Sequence, residues 1–266
     1  MRQISILGCG WLGLPLAKSL IEKGYSVNGS TTSVDKISVL KNAGITPFQI
    51  SLGEDEIKGK IDSFLANSEI LIIDIPPKLR GDSKENFVEK IQTVVPFIAK
   101  SSVEKVIFVS STSVYSDDNS TITEALEPHP DSESGKQLLA SERLLQNNTN
   151  FKTTVVRFGG LIGDDRHPIK FLAGRKNIEN PDAPINMIHQ EDCIGIIEKI
   201  IHADSWNETF NAVAPFHPYR KDYYTQKAIE WNLPLPEFIN NKPSVGKWIV
   251  SAKIKSVLDY TFKKEL

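Results

Sequence analysis

The sequence predicts an α/β fold, in which a doubly wound parallel sheet is followed by a smaller C-terminal substrate-binding domain. Short apolar runs alternate with amphipathic helical patterns through the first two-thirds of the 266 residues. Each apolar run is rich in Ile and Val, and Gly, Pro or Ser bounds it. Because buried helices need longer runs, this alternation favours buried strands joined by crossover helices.

The individual elements follow from the same patterns. Strands are predicted at QISILG, YSVNGST, TPFQISL, EILIIDIPP, KVIFVSS and KTTVVRFGG. Helices are predicted at WLGLPLAKSLIEKG, SVDKISVLKNAG, 54–66, 84–100 and 134–147. After residue 160 Pro, Gly, Asn and Asp recur, which indicates a loop-rich cap, before a helix at QEDCIGIIEKIIHA, a strand at ETFNAVAP and a helix at YRKDYYTQKAIEWN. We therefore predict a first domain over 1–160 and a cap over 161–266, of which 186–214 packs back on the first domain.

Composition excludes several classes of partner. Lys and Arg number 31 against 33 Asp and Glu, without a long block of one sign, so we expect neither nucleic acid nor a membrane as a partner. The apolar runs are strand-sized and the first residues do not read as a signal peptide, so we expect a cytoplasmic protein. Cys9 and Cys193 are too few for a disulfide framework or a metal site, and no metal is expected.

A glycine-rich loop follows the first predicted strand. Gly8 suits a tight turn, Gly10 lets backbone approach a pyrophosphate, and Gly13 lets the next helix lie close to the sheet. The start of that helix offers free N–H groups to phosphate. We therefore predict that this loop, including Cys9, Trp11 and Leu12, binds a dinucleotide. The alternative is a purely structural glycine turn.

The end of the second strand indicates which dinucleotide is bound. Enzymes that prefer NAD usually present a carboxylate there to the ribose 2′-hydroxyl, but the first acid here, Asp35, comes late. Lys36 and four hydroxyl side chains stand in that region instead, which favours NADP over NAD. The hydroxyl residues are Ser30, Thr31, Thr32 and Ser33. The alternative is that Thr32 or Ser33 caps the next helix.

A proline-terminated strand end is expected to form one wall of the cofactor crevice. Ile75, Pro76 and Pro77 follow the fourth strand at the point where the crevice passes the cofactor. The simpler interpretation, a strand ended by proline, is compatible with this role.

Several segments of the chain, taken in order, resemble the extended short-chain dehydrogenase/reductases, the NAD-dependent epimerase/dehydratase family. These segments are EKVIFVSSTSVYSD, TEALEPHP, TTVVRFGGLIG and INMIHQEDCIGII. The spellings GCGWLG and GSTTS look more like an atypical bacterial subgroup of that family. The resemblance implies a Rossmann-like domain, and it implies that Phe158 and Gly159 flank the nicotinamide.

Catalysis in this family uses a Tyr-x-x-x-Lys pair and an orienting Ser or Thr, and the resemblance assigns the orienting role to Ser111. An ungapped overlay puts Ser134 at the tyrosine position and Leu138 at the lysine position. Lys136 lies two residues from the lysine position, about 200° away around a helix. Sliding the register to use Lys136 puts Ser132 at the tyrosine position. A serine hydroxyl is a much weaker acid than a phenol, so the usual proton transfer is not expected.

Two hypotheses of function follow. The first is an NAD(P)-dependent oxidoreductase or epimerase that acts on a sugar-like or nucleotide-linked small molecule through another proton donor. The second is a dinucleotide-binding redox sensor or regulator without turnover. Arg157 resembles a family arginine that is usually structural. His167 and His189 could reach the cleft, although a structural role is expected for His189. The quaternary state is left open between monomer and homodimer.

Overall fold

The computed structural model describes residues 2–77 and 85–264. Its strands, in chain order, are β1 (Gln3–Leu7), β2 (Ser26–Thr31), β3 (Thr46–Gln49), β4 (Ser51–Leu52), β5 (Ile57–Lys58), β6 (Ile70–Ile73), β7 (Lys105–Ser111), β8 (Thr121–Ile122), β9 (Lys152–Phe158), β10 (Gly160–Ile162), β11 (Met187–His189), β12 (Thr209–Ala212) and β13 (Trp248–Ile249). Its helices are α1 (Gly13–Glu22), α2 (Lys36–Asn42), α3 (Ile61–Leu65), α4 (Phe87–Lys100), α5 (Glu133–Gln146), α6 (Ile169–Leu172), α7 (Gln190–His202), α8 (Arg220–Glu230) and α9 (Ala252–Leu258).

A seven-stranded parallel sheet forms the centre of the molecule, in the order β12-β9-β7-β6-β1-β2-β3. The strand order reverses between β1 and β6, which makes their carboxyl ends the switch point where ligands bind in open α/β sheets. The predicted doubly wound α/β fold is confirmed.

Helices cover both faces of this sheet, as the buried Ile- and Val-rich strands require. One core cluster packs α1, α7 and α9 on the sheet, and a second packs α3, α4 and α5 on the other face. A third, smaller cluster lies in the cap and includes Ile169, Met187 and Tyr223.

The last hundred residues are shared between the sheet and the cap. Strand β12 pairs with β9 at the edge of the central sheet, and α7 and α9 pack on its face. The short pair β10–β11 and helices α6 and α8 lie outside that sheet. The division at residue 160 stays a prediction, because the chain returns from the cap to the sheet more than once.

One helix prediction is wrong. The segment 54–66 contains helix only over α3, and its first part forms β5, which pairs antiparallel with β4. Gly59 explains the break: its φ is +116°, and a β-carbon there would lie 2.2 Å from the carbonyl oxygen of Gln49. Because a helix cannot pass through that conformation, α3 begins two residues later.

No helix within the described part of the chain is long and apolar enough to cross a membrane. Among residues 2–77 and 85–264, no group of three or more His, Cys, Asp or Glu side chains is placed to hold a metal ion.

Candidate dinucleotide and substrate site

Gly8, in the loop after β1, and Gly13, the first residue of α1, are fixed by close backbone contacts. Gly8 has φ +111°, and a β-carbon on it would lie 2.2 Å from the carbonyl oxygen of Asp74. A β-carbon on Gly13 would lie 2.2 Å from the carbonyl oxygen of Gly8. Since no side chain fits in either place, both glycines are required for the turn and for the start of α1.

The third glycine, Gly10, has a different environment. A β-carbon built on it meets no atom within 4 Å, so open space faces the loop there. The packing of the protein does not require a glycine at this position. A ligand whose phosphates approach the backbone would require one.

Strand β2 holds the loop in place through Ser30. The buried Ser30 hydroxyl accepts a hydrogen bond from the Gly8 N–H at 2.9 Å. The Ser30 backbone carbonyl accepts a second one from the Cys9 N–H at 2.8 Å. Ser30 therefore positions the loop, which differs from the predicted role beside the ribose. The Cys9 side chain packs against Gly29, and burial raises the pKa of its thiol to about 12, so it is inert. Leu12 lies in the core.

The remaining hydroxyl residues at the end of β2 do not cap the next helix. Helix α2 begins at Lys36 without a side-chain hydrogen bond at its N-cap, Asp35. The Thr31 hydroxyl accepts a hydrogen bond from the Ser33 N–H at 3.1 Å, and Thr32 is exposed. The capping alternative for Thr32 and Ser33 is therefore wrong.

Trp11 joins the glycine loop to the cap, a contact that the sequence did not reveal. Its indole N–H donates to the Asp165 carboxylate at 2.8 Å, and its carbonyl accepts a hydrogen bond from the Gln190 side chain at 2.6 Å. The Arg166 guanidinium lies 4.9 Å from the centre of a Trp11 ring. The loop and the cap therefore form one continuous wall.

Asp74 is a second residue at this site, and the sequence patterns did not single it out. It follows β6 directly, and the Gly13 N–H at the start of α1 donates a hydrogen bond to its carboxyl group. Burial raises the pKa of this carboxyl group to about 8. The signal in the sequence is a single acid in the apolar run LIIDIPP. Next to it, Ile75 contacts Gly8, while Pro76 is exposed and Pro77 half-buried.

A thermal-melting series tests the protonation of Asp74 in the ligand-free protein. Because its pKa is raised on folding, the stabilisation from this group is complete below its unfolded pKa, near 4, and is lost as pH rises to 8. We expect Asp74→Asn to melt higher than wild type at pH 8, with a smaller difference at pH 5. Equal differences at both pH values would contradict the raised pKa.

The predicted catalytic residues lie beside one turn. Ser111 ends β7, and its hydroxyl accepts a hydrogen bond from the Ser113 N–H at 3.2 Å. Helix α5 packs against this turn, because a β-carbon on Gly135 would lie 2.2 Å from the Ser113 carbonyl oxygen. Ser134, the preceding residue, is half-buried, and Ser132 caps the helix through the Gly135 N–H at 3.1 Å.

The two candidates for the lysine role face different environments. Leu138 is buried in the core cluster beneath α5, whereas Lys136 is exposed. This separation is what two residues along a helix produce.

A buried polar cluster stands behind this turn. Arg157, at the end of β9, donates to Glu142 of α5 from Nη2 at 2.6 Å and to the Tyr115 hydroxyl from Nη1 at 2.6 Å. Burial raises the pKa of Tyr115, and its hydroxyl also donates to Asn211 at 3.0 Å. These contacts give Arg157 the structural role expected from the sequence, and they hold Tyr115 in the same cluster.

The two candidate histidines are also held in structural contacts. His167 is buried, and its Nε2 lies 2.8 Å from the Tyr223 hydroxyl oxygen. Its Nδ1 accepts a hydrogen bond from the Ile169 N–H at 3.1 Å. Burial lowers the pKa of His167 to about 4. His189 caps α7 by accepting a hydrogen bond from the Glu191 N–H at 3.2 Å.

Phe158 ends β9, and Gly159 separates it from β10. The Phe158 side chain is buried in the core. A β-carbon on Gly159 would lie 2.6 Å from the Asn186 carbonyl oxygen.

A cavity of about 150 Å³ lies where β10 passes into the cap. Its walls combine aromatic, imidazole, carboxylate and ammonium groups, a set that suits a polar ligand with a ring. The lining residues are Ile162, Gly163, Asp164, His167, His189, Tyr223, Lys227 and Trp231.

Comparison with known proteins shows which of them resemble this chain. No protein-family model matches the chain. Protein YeeZ of Escherichia coli, in strains K12 and O157:H7, is 33% identical over 266 residues, which cover 99% of this chain and 96% of YeeZ.

Solved structures show the same fold at lower identity. A UDP-glucuronic acid 4-epimerase from Bacillus cereus in complex with NAD has a TM-score of 0.82 at 16% identity, covering 99% of this chain and 92% of that one. A short-chain dehydrogenase/reductase superfamily protein from Agrobacterium tumefaciens with bound NAD has a TM-score of 0.80 at 14% identity, covering 99% and 93%. The fold is thus the Rossmann-like fold of those NAD-bound proteins, and the chain belongs to the family of Escherichia coli protein YeeZ.

Proposed function

We propose that this protein binds NADP(H) at the glycine loop and acts as an oxidoreductase or epimerase on a nucleotide-linked sugar. The open space in front of Gly10 carries the proposal, because packing leaves that glycine unexplained and an approaching diphosphate explains it. The start of α1 lies beside this space and favours negative charge. Solved structures of the same fold bind NAD, and one of them is a UDP-glucuronic acid 4-epimerase.

The preference for the phosphorylated cofactor rests on the end of β2. No acid stands there before Asp35, Thr32 is exposed, and Lys36 begins α2. A carboxylate at this point would hydrogen-bond a free ribose 2′-hydroxyl and repel a 2′-phosphate. Hydroxyl and ammonium groups can donate hydrogen bonds to a 2′-phosphate.

A charge introduced at Thr32 tests this preference. We expect Thr32→Asp to raise the dissociation constant for NADPH at least about tenfold, roughly 1.4 kcal/mol, because of repulsion of the 2′-phosphate. Binding of NADH, which lacks that phosphate, should not weaken, because the new carboxylate can hydrogen-bond the ribose 2′-hydroxyl. Isothermal titration with both cofactors measures the two constants.

Ser256→Asp is the matched control, since Ser256 is an exposed hydroxyl residue on α9. It should leave both constants unchanged. Wild type that binds NADH more tightly than NADPH would contradict the preference.

The residues around the turn at Ser111 bear on proton transfer and on substrate orientation. In either overlay of the family pattern a serine, Ser134 or Ser132, stands at the tyrosine position, so the proposed proton transfer uses another group or water. Ser111 supplies a hydroxyl to orient the substrate. The cap cavity, with Lys227 and its aromatic walls, has room for part of a nucleotide-linked ligand.

Single-turnover absorbance tests the activity. Protein loaded with NADP⁺ is mixed with UDP-glucuronic acid or UDP-glucose, and absorbance at about 340 nm reports reduced nicotinamide. Transient reduction, or an epimerised product, supports the enzyme, and Ser111→Ala should slow the step by at least about tenfold.

A second function, a redox sensor without turnover, is favoured by the aliphatic Leu138 at the lysine position. Its signature is cofactor binding without reduction or product for either sugar nucleotide. A difference in affinity between NADP⁺ and NADPH would then be the sensed quantity.

A further inference from the structure

Asp74 occupies the switch point of the sheet. It follows β6 where that strand runs beside β1, and its N–H donates to the Leu7 carbonyl at 2.9 Å. Its own carbonyl lies beneath Gly8, so close that a β-carbon there would be 2.2 Å away. The residue is therefore built into the base of the glycine loop.

The carboxyl group of Asp74 lies against the first turn of α1. The Gly13 N–H donates to it, and its Oδ2 would be 3.1 Å from a β-carbon on Gly13. A dinucleotide bound at this loop would place its diphosphate at the same helix end. A carboxylate and a diphosphate would then be two anions at one helix terminus.

The ionisable groups around Asp74 do not neutralise it. In the described ranges 2–77 and 85–264, the ionisable groups that interact with its charge are the Cys9 thiol of the loop and the Cys193 thiol of α7. Burial keeps both thiols neutral, with the pKa of Cys9 raised to about 12. From α1 the contact is the uncharged Gly13 N–H, and β1 and β2 contribute backbone and the Ser30 hydroxyl to the loop.

On the basis of the proposed function, we infer that the Asp74 carboxyl group is protonated when a dinucleotide is bound. Where the free protein holds this group ionised, at alkaline pH, dinucleotide binding therefore requires that the carboxylate take up one proton. The proton comes from solvent, and no bond other than O–H forms. A neutral carboxyl group removes the repulsion and has an O–H to donate. An ionised one would oppose a diphosphate across a few ångströms of protein, where screening by water is weak.

Burial has already raised the pKa of Asp74 to about 8 without a ligand, and a bound diphosphate would raise it further. At pH 7 the group is mostly protonated and binding needs no proton. At pH 9 it is mostly ionised, so each binding event takes up close to one proton.

Isothermal titration with NADH tests the inference, because NADH carries no 2′-phosphate of its own to titrate. We expect the dissociation constant to rise about tenfold between pH 7 and pH 9. Titrations at pH 9 in two buffers with different ionisation heats should show uptake of about 0.9 proton. Both measurements use the wild-type protein and need no variant to fold.

Asp74→Asn and its matched control complete the test. The amide keeps the size of the side chain and has no proton to take up, so binding should be independent of pH and about tenfold tighter than wild type at pH 9. Asp62→Asn, at an exposed position on α3, should behave like wild type.

The outcomes separate the two claims. NADH that binds equally well at pH 7 and pH 9, or a variant that keeps the wild-type pH dependence, overturns the role of Asp74 and leaves the proposed function intact. If neither NADH nor NADPH binds at any pH, the proposed function fails, and this inference fails with it.

Discussion

Replacing Glu142 by alanine is expected to lower the free energy of unfolding by about 3–5 kcal/mol, because it leaves a buried guanidinium without its counter-charge. Glu142 is 0% exposed and Arg157 5% exposed. Arg157 donates to Glu142 from Nε at 3.1 Å and from Nη2 at 2.6 Å. Burial alone lowers the pKa of Arg157, but the hydrogen bonds and charge of Glu142 raise it overall. A guanidinium does not lose its proton in a protein, so the charge stays when Glu142 is removed.

Denaturation in urea measures this loss. The matched control is Glu127→Ala, which removes the partner of Arg143 in an exposed ion pair and should cost no more than about 1 kcal/mol. Equal losses in the two variants would show that the buried pair contributes no more than a surface pair. The turn at Ser111 should also loosen in Glu142→Ala, because Tyr115 and Arg157 support it from behind.

Enlarging Gly10 is expected to weaken dinucleotide binding while the fold stays intact. No atom lies within 4 Å of a β-carbon at this position, so the protein has room for one. That space is where a diphosphate would lie, so Gly10→Ala should weaken binding about tenfold and Gly10→Leu at least about 100-fold. Titration calorimetry gives the affinities, and thermal melting should show unchanged stability.

Gly13→Ala provides the contrast within the same loop. Its β-carbon would lie 2.2 Å from a backbone oxygen, so this variant should lose stability and binding together. If Gly10→Leu binds NADPH as tightly as wild type, the diphosphate does not lie at this loop.

Local patterns along the chain were enough to predict the central fold. The first strand, the glycine loop, α1 and β2 all lie within 31 residues, and glycine spacing together with Ile- and Val-rich runs defines them. The wrong helix at 54–66 has an equally local cause. Its polar composition suits a helix surface, but Gly59 adopts a φ of +116° that the sequence pattern does not reveal.

The contacts that complete the site join distant parts of the chain. Trp11 and Asp165 are 154 residues apart, so their hydrogen bond depends on how the cap packs against the glycine loop and not on the spacing of residues in the sequence. The raised pKa of Asp74 arises from packing around the glycine loop, and sequence shows only one acid among apolar residues. Ser30 was assigned to the ribose from its position, but its hydroxyl turns back to Gly8.

A crystal structure of the protein grown with NADPH tests the central claim most directly. We expect density for the diphosphate beside Gly10, within about 3.2 Å of backbone N–H groups at the start of α1, and for the 2′-phosphate near Thr32 and Lys36. Density for NADPH elsewhere on the protein, with the space before Gly10 filled only by solvent, would contradict it.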